Sequence, residues 1–361
     1  MPTTTGMKGG GYYDAHSKEQ RAAMAPFLLW LEEAVSHLPL SSDRQKALGL
    51  LDIGSSEGGN AIYAMNRLIN RLRSVSDLPI RVFFSDLPTN DFNHLFANLF
   101  PGGSAALPGA GIFPCAIGGT AFGRLVPYRS LHIATTFNTI GFLEEKPIAG
   151  LPHYILPMGP GPLAPREGVS VTEKERAPFR FQAENDLRRF YTARAEELVS
   201  GGKLLVQVFG RDERFSTSYG IYDVLSDAIL DSMEEGILPR GFYEELTYPI
   251  YFRSLDELVA PIETDAQLAG AFRVEKAGSR EVPVPFNITL AETGDDASWA
   301  RSYTGFLRAF TEAILVSALP DGLHKSHIPA RIYERVEQRL VADPARYEFH
   351  YISVAALLSR V

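Results

Sequence analysis

The chain of 361 residues carries 35 Lys and Arg against 43 Asp and Glu, a formal net charge of −8, with no long run of either sign. That length buries a sizeable core without covalent staples, and the single cysteine, Cys115, excludes an internal disulfide. The charge balance disfavours electrostatic binding of nucleic acid or anionic membrane. No stretch approaches the roughly eighteen consecutive apolar residues of a membrane span, and the opening MPTTTGMKGG lacks a leader pattern, so a cytoplasmic protein with a small-molecule partner is expected.

In chain order, Ser17-Lys18-Glu19-Gln20 reads as a capping box opening a helix that carries Phe27, Leu28, Leu31 and Val35. Short apolar runs then alternate with segments of helical period. ALGLLDIG (47–54) is a strand, and a helix from about Asn60 follows with Ile62, Met65, Leu68, Ile69 and Leu72 on one face. IRVFFSD (80–86), IFPCAIGG (112–119) and LHIATTF (131–137) predict three more strands. From Lys146 to Gly168 the prolines 147, 152, 157, 160, 162 and 165 leave no helix or inner strand. A helix from about Ala183 to Val199 stops at Gly201-Gly202, and KLLVQVFG (203–210) follows. Beyond Ser218 come helical pieces at 229–237, 254–262 and 300–319, interrupted by strand-like FRVEKA (272–277) and EFHYISVAALL (348–358). The alternation predicts an α/β fold: a Rossmann-like, mostly parallel core of residues 41–217, 270–295 and 343–361. Residues 1–40 form an amino-terminal segment and helix, and 218–269 with 296–342 an inserted helical cap over the ligand.

After the first strand the chain reads Asp52-Ile53-Gly54-Ser55-Ser56-Glu57-Gly58-Gly59-Asn60, a Gly-rich turn before a helix start. Such turns let backbone approach a ligand, and the end of a first strand is where these sheets bind nucleotides, although an ordinary tight turn has the same composition. The pattern D-x-G-x-x-x-G lacks the third glycine of G-x-G-x-x-G, and Glu57 stands where a pyrophosphate needs helix N–H groups and no anion. A cofactor without phosphates is favoured. S-adenosylmethionine fits, its ammonium toward Asp52 and its carboxylate toward turn N–H groups. Asp86, ending the second strand, can accept both ribose hydroxyls of an adenosine, or cap a helix ahead of Leu87-Pro88.

These residues resemble the SABATH methyltransferases, which in plants methylate carboxyl groups of small acids such as salicylate and jasmonate and nitrogens of xanthines. The resemblance spans most of the chain. It rests on Tyr13-x3-Ser17-x2-Gln20, the Asp52–Asn60 loop, Ser85-Asp86-Leu87-Pro88-Thr89-Asn90-Asp91-Phe92-Asn93, and Gly119-Thr120-Ala121-Phe122-Gly123-Arg124-Leu125-Val126-Pro127 running into Ser130-Leu131-His132, with lesser support from Arg194-Ala195-Glu196-Glu197-Leu198. It implies a class I methyltransferase core with a seven-stranded sheet, S-adenosyl-L-methionine as cofactor, a small-molecule carboxylic acid as substrate, and a homodimer. Residue by residue it implies Tyr13 and Ser17 near the cofactor, Asp52, Gly54 and Asn60 at its methionine end, Asp86 on the ribose, Leu87 on the adenine, Thr120 and Ala121 at the adenine rim, and Gln20 on the substrate carboxylate.

Two departures stand out. The family usually has an aromatic residue where Ala121 stands, so part of the adenine packing is expected from Phe122. In Thr139-Ile140-Gly141-Phe142-Leu143, plant carboxyl methyltransferases generally carry tryptophan at the position of Phe142 and often histidine or methionine at that of Gly141. Phe142 has no donor and Gly141 no side chain, so the pocket is expected to be wider there or to draw on other donors, with Asn138 and Thr139 close by. Tyr222, Tyr251 and Ile314 are further pocket candidates, each also readable as core packing. His94, His132, His153 and His350 show no ligand spacing, and no metal is expected.

A carboxylate, with a pKa of about 4, is ionised at neutral pH and needs no base to accept an activated methyl group. Holding the reacting atoms in line supplies roughly 7–11 kcal/mol, so no catalytic acid or base is assigned. The expected product is a methyl ester. The alternatives are methylation of a phenol, which titrates near about 10 and needs a base, or of a ring nitrogen, a nicotinamide-dependent oxidoreductase, or a catalytically silent cofactor-binding partner.

Overall fold

Burial on both faces with a period of two sets the first strand, β1 (Leu48–Ile53), at the centre: Leu48 and Leu50 face one helical layer, Leu51 and Ile53 the other. The computed structural model describes residues 6–40, 46–165, 169–320 and 327–361. β2 (Ile80–Asp86), β3 (Ile112–Gly118), β4 (Leu131–Phe137) and β5 (Leu198–Phe209) run parallel to β1. With β6 (Phe272–Val282) and β7 (Tyr351–Arg360) they form a seven-stranded sheet in the order β3-β2-β1-β4-β5-β7-β6, β7 being antiparallel to both neighbours. The chain builds outward from β1 to β3, then returns to β4 on the other side. That reversal opens a crevice above the carboxyl ends of β1 and β4, where open α/β sheets bind ligands. Because β7 is antiparallel, it begins at this same edge: Ser353 pairs with Phe209 at the end of β5, and Tyr351 lies beyond it.

The helices are α1 (Tyr12–Ala15), α2 (Lys18–Ala34), α3 (Gly59–Arg73), α4 (Phe92–Leu99), α5 (Glu173–Glu197) and α6 (Ile221–Glu234), then α7 (Phe242–Glu245), α8 (Leu255–Thr264), α9 (Ala266–Ala271), α10 (Pro285–Thr293), α11 (Asp296–Ala318) and α12 (Ile328–Ala342). On one face of the sheet, Phe27, Leu28 and Leu31 of α2 and Met65, Leu68 and Leu72 of α3 cover Leu50, Val82 and Phe84. On the other, Phe190 and Tyr191 of α5 cover Leu51, Val206 and Val354. A separate core gathers Val224 and Leu225 of α6, Tyr303 and Phe306 of α11, and Ile332 and Val336 of α12 into the cap.

The structure redraws several boundaries expected from the sequence. α8 and α9, expected in the cap, lie on the sheet, because Leu258, Ile262 and Leu268 complete the apolar layer around Phe190. α10, expected in the core, joins the cap by stacking Phe286 on Tyr303 at 5.0 Å. α5 starts at Glu173, well before Ala183, because Thr172 and Glu175 close a capping box and Pro178 sits early enough to remove only one helical bond. It ends at Glu197, short of Val199. β5 begins at once and absorbs Gly201, with φ 79°, where the β4–β5 register shifts.

Arg194 and Glu197, at the end of α5, are fully buried. Arg194 Nε donates to Glu197 Oε2 at 2.7 Å, and its terminal nitrogens donate to the carbonyls of Ala121 (3.0 Å) and Gly123 (2.8 Å). Glu197 Oε1 accepts the N–H groups of Leu125 and Val126. The pair thus fastens loop 121–126 to the sheet. Removing one member leaves an unpaired buried charge, so Arg194→Leu is expected to lower stability by about 3–5 kcal/mol in urea unfolding.

Candidate active site

The loop after β1 is held open by its neighbours. Gly54 turns with φ 84°, and a Cβ there would come within 1.7 Å of Thr139 Oγ1, which donates to the carbonyl of Ile53 at 3.0 Å. The N–H groups of Gly54 and Ser55 both donate to the carbonyl of Ser85, at 2.8 and 3.0 Å. Asp86 accepts the N–H of Ser56 and that of Leu87, each at 2.7 Å, so the ends of β1 and β2 are joined through one carboxylate. Burial raises the pKa of Asp86, while those two N–H groups work in the opposite direction.

Asp52 lies beneath this loop and does not line the pocket. It accepts Thr135 Oγ1 at 2.7 Å and Ser55 Oγ at 2.9 Å, and burial pushes its carboxyl up to about 6 against those two bonds. Glu57 faces the amino-terminal segment, accepting the N–H of Gly11 at 2.5 Å and of Asp14 at 3.1 Å. Asp14 in turn accepts the N–H of Gly59 at 3.1 Å and Asn98 Nδ2 at 2.7 Å. Asn60 Nδ2 donates to Ser17 Oγ at 3.1 Å. Ser17 and Asn60 therefore bind the segment to α3 and stay outside the pocket lining. Ser17 makes no capping hydrogen bond, so the capping box expected at the start of α2 does not form. Gln20 turns into the pocket, and its Oε1 is buried with no hydrogen-bond partner.

The pocket, with its solvent-open mouth included, spans about 1120 Å³. Its first half is bounded by Tyr13, Gly54, Asp86, Leu87, Thr120 and Ala121, with Phe122 beside Ala121 and Ser56, whose buried hydroxyl has no hydrogen-bond partner. Thr120 Oγ1 donates to Glu144 at 3.0 Å. The second half takes in Gln20, Asn138, Thr139, Phe142 and Tyr222. Phe209, Phe252, Phe306, Phe310 and Tyr351 also line it and were missed in the sequence. Phe306 and Phe310 are spaced to share a helix face, and Phe209 closes a strand at the ligand edge; those two signals were available.

Three of the residues expected on the substrate also lie outside the lining. A Cβ on Gly141 would meet Phe209 Cζ at 2.2 Å, so the Phe209 ring fills the space that glycine frees and the pocket is not widened there. Tyr251 donates to Glu257 at 2.9 Å and packs with Leu143 and Phe179. Ile314 sits in the cap core beside Leu315. Asn138 lines the pocket with its amide engaged: Oδ1 accepts the N–H of Phe209 (2.8 Å) and Gln207 Nε2 (3.2 Å), and Nδ2 donates to the Tyr351 hydroxyl (2.8 Å).

Among the described residues, no Lys, Arg or His lines the pocket, and its tyrosines are poor bases. Burial raises the pKa of Tyr13, with Tyr351, Asp14, Asp86 and Asp52 adding to it, and burial likewise raises Tyr222 and Tyr351. The first half fits an adenosine bearing a cationic sulfur: Asp86 keeps lone pairs for a diol, Leu87 and Phe122 offer apolar faces, and the carboxylates favour positive charge.

The family of SAM-dependent carboxyl methyltransferases matches residues 3–361. Indole-3-acetate O-methyltransferase 1 of Oryza sativa subsp. japonica is 26% identical, over 98% of this chain and 92% of the relative. Gibberellic acid methyltransferase 1 of Arabidopsis thaliana is 25% identical, over 91% and 89%. The solved structure of a loganic acid methyltransferase with SAH superposes with a TM-score of 0.78 at 22% identity, covering 98% of each chain. Fold and strand order define a class I methyltransferase. The chain belongs to the SAM-dependent carboxyl methyltransferases, whose cofactor is S-adenosylmethionine. The nicotinamide alternative falls to this family match; Glu57, expected from the sequence to confront a pyrophosphate, instead holds the amino-terminal segment.

An ammonium bound above the loop that covers Asp52 would make cofactor binding dependent on pH. With a pKa raised to about 6, Asp52 contributes stability to the ligand-free protein that is complete below about pH 4 and lost as the pH rises through about 6. A bound ammonium reverses that preference. Calorimetric titration of S-adenosylhomocysteine from about pH 5 to 7.5 is expected to show roughly tenfold tighter binding at the upper end, and Asp52→Asn to flatten the profile.

Proposed function

We propose that the second half of the pocket takes a small monocarboxylic acid with an apolar body and presents its carboxylate, at Gln20, to the cofactor. In this reading Asp86 receives the ribose hydroxyls, Leu87, Ala121 and Phe122 flank the adenine, Asp52 supplies negative charge beneath the ammonium, and Ser56 and Tyr13 border the methionine end. The observation that carries it is the make-up of the lining: a few neutral polar groups, among them Gln20, Tyr13 and Tyr351, share a pocket with Phe142, Phe209, Phe252, Phe306 and Phe310. Indole-3-acetate, gibberellic acid and loganic acid, for which the relatives are named, support the substrate class.

When bound, S-adenosylmethionine supplies a methyl group that passes to a carboxylate oxygen as the carbon–sulfur bond breaks onto sulfur. The protein's own task is positional. The aromatic wall excludes water from the acid, and the donor at Gln20 offsets part of the desolvation of the anion. The pocket's tyrosines have raised pKa values, no histidine lines it among the described residues, and its carboxylates are engaged, Asp86 with two backbone N–H groups and Glu144 with Thr120 and Arg189, which favours the ester. The same reading keeps the cytoplasmic homodimer expected from the sequence, with light scattering as the measurement of its assembly state.

Incubation with labelled S-adenosylmethionine and a panel of acids, phenols and amines tests the assignment. The product is expected to be a methyl ester that releases methanol in mild alkali; an alkali-stable product would favour the phenol or nitrogen alternative. Dicarboxylic acids are expected to lose 100-fold or more, about 2.7 kcal/mol, in kcat/KM, because a second carboxylate would enter the phenylalanine wall without a cation. Gln20→Ala is expected to lower kcat/KM by about 1–3 kcal/mol while leaving Tm unchanged, since Gln20 caps nothing.

A further inference from the structure

Phe142 leaves this site without an indole N–H, and a neutral amide at Gln20 is a sparse reception for a desolvated carboxylate. A second group, the Tyr351 hydroxyl, lines the same pocket. The backbone N–H of Phe209 can only donate, and it reaches Asn138 Oδ1 at 2.8 Å. That contact fixes which way the Asn138 amide faces: Nδ2 must point at Tyr351 Oη, 2.8 Å away. Gln207 Nε2, which donates to both Asn138 Oδ1 (3.2 Å) and Ser353 Oγ (2.8 Å), agrees with the same orientation. The Tyr351 oxygen therefore accepts, and its own hydrogen has to turn away from Asn138. Among the described residues no protein atom accepts it, and the hydroxyl belongs to a residue that lines the pocket with Gln20.

The topology places the two donors together. Tyr351 opens antiparallel β7 at the ligand edge of the sheet, and Ser353 Oγ on the same strand donates to the carbonyl of Ala23 on α2, the helix that carries Gln20. Tyr13, whose pKa is raised by burial and by nearby Tyr351, Asp14, Asp86 and Asp52, lines the same pocket. Tyr222, the other pocket hydroxyl, packs instead among Tyr248, Phe252 and Phe310 on the cap side.

We infer that Tyr351 is the second carboxylate donor of this enzyme, its proton aimed into the pocket by the Phe209–Asn138 relay, so that Gln20 and Tyr351 grip the acid from α2 and β7. The inference rests on the carboxylic-acid reading of the pocket and adds a specificity-determining residue to it. A hydroxyl whose proton is already committed outward favours an acceptor-only anion over a neutral amide of the same shape.

The test uses the protein loaded with S-adenosylhomocysteine and, from a panel of indole-3-acetate, jasmonate, gibberellic acid and loganic acid, the acid the wild type methylates fastest, with its methyl ester. Tyr351→Phe is expected to weaken binding of the acid by about 10- to 100-fold, that of the ester by only a few-fold, and that of S-adenosylhomocysteine not at all. A purely structural tyrosine would weaken acid and ester alike. Acid affinity within about twofold of wild type, or the charge-selective loss appearing in Tyr222→Phe instead, overturns the inference while the carboxylic-acid reading stands. A wild type that methylates none of the acids ends both. Should Tyr351→Phe fail to bind S-adenosylhomocysteine, a crystal structure of the wild type with that ligand and the acid decides: Tyr351 Oη within about 3.2 Å of a carboxylate oxygen supports the assignment, and a carboxylate turned away from it overturns it.

Discussion

Three buried or pocket-facing carboxylates, Asp52, Glu57 and Asp86, meet where the ends of β1 and β2 flank one short loop, with no lysine or arginine hydrogen-bonded to any of them among the described residues, and the site depends on how each is satisfied. Asp52 relies on two hydroxyls, Glu57 on two backbone N–H groups of a distant segment, and Asp86 on the N–H groups of Ser56 and Leu87. Buried carboxylates without a cation are costly, and a positively charged ligand lowers that cost. The loop is thus electrostatically unfinished in the ligand-free protein. A cofactor with an ammonium and a sulfonium completes it, and one with a pyrophosphate does not.

The carboxylate that most clearly departs from a dinucleotide turn also organises the substrate half. Glu57 holds Gly11 and Asp14, Asp14 holds Gly59, and Asn60 holds Ser17. Through these bonds the start of α2 is docked on the start of α3, and Gln20 arrives in the pocket as part of the same rigid assembly that shapes the cofactor loop. Loop 121–126 is positioned independently, from below, by the buried Arg194–Glu197 pair. The proposed cofactor contacts thus come from three separate stretches of chain, each tied down by charge-assisted bonds to backbone.

Strand positions were readable because a sheet buried on both faces leaves continuous apolar runs, and the ends of those runs place Asp52, Gly54 and Asp86 at one edge. The role of Ser17-x-x-Gln20 was not readable. A capping box and a pocket-facing glutamine share one spelling, and only the route of Ser17 Oγ to Asn60 separates them. Gly141 shows the complementary difficulty: the sequence reports a missing side chain, but whether that creates space depends on Phe209, on another strand. The aromatic wall was hidden for a related reason, since Phe209, Phe306, Phe310 and Tyr351 come from β5, α11 and β7 and meet only once β7 has been inserted antiparallel. α8 reads as cap by its place in the chain and lies on the sheet because Leu258 and Ile262 match the layer there.

The absence of a cation from the described lining of the substrate half also suits the chemistry. An arginine would bind a carboxylate tightly, but the negative charge it stabilises is the charge that must reach across to the methyl carbon, and binding of that kind stabilises the ground state more than the transition state. Neutral donors on an otherwise apolar wall hold the anion in place and leave it reactive. The ester that forms is uncharged and accepts weaker hydrogen bonds from the same groups, so the enclosure that raises the acid's reactivity holds its product less firmly. In the proposed arrangement the negative charge of Asp52 and Asp86 serves the cofactor, and the phenylalanine wall is free to select the body of the acid by shape.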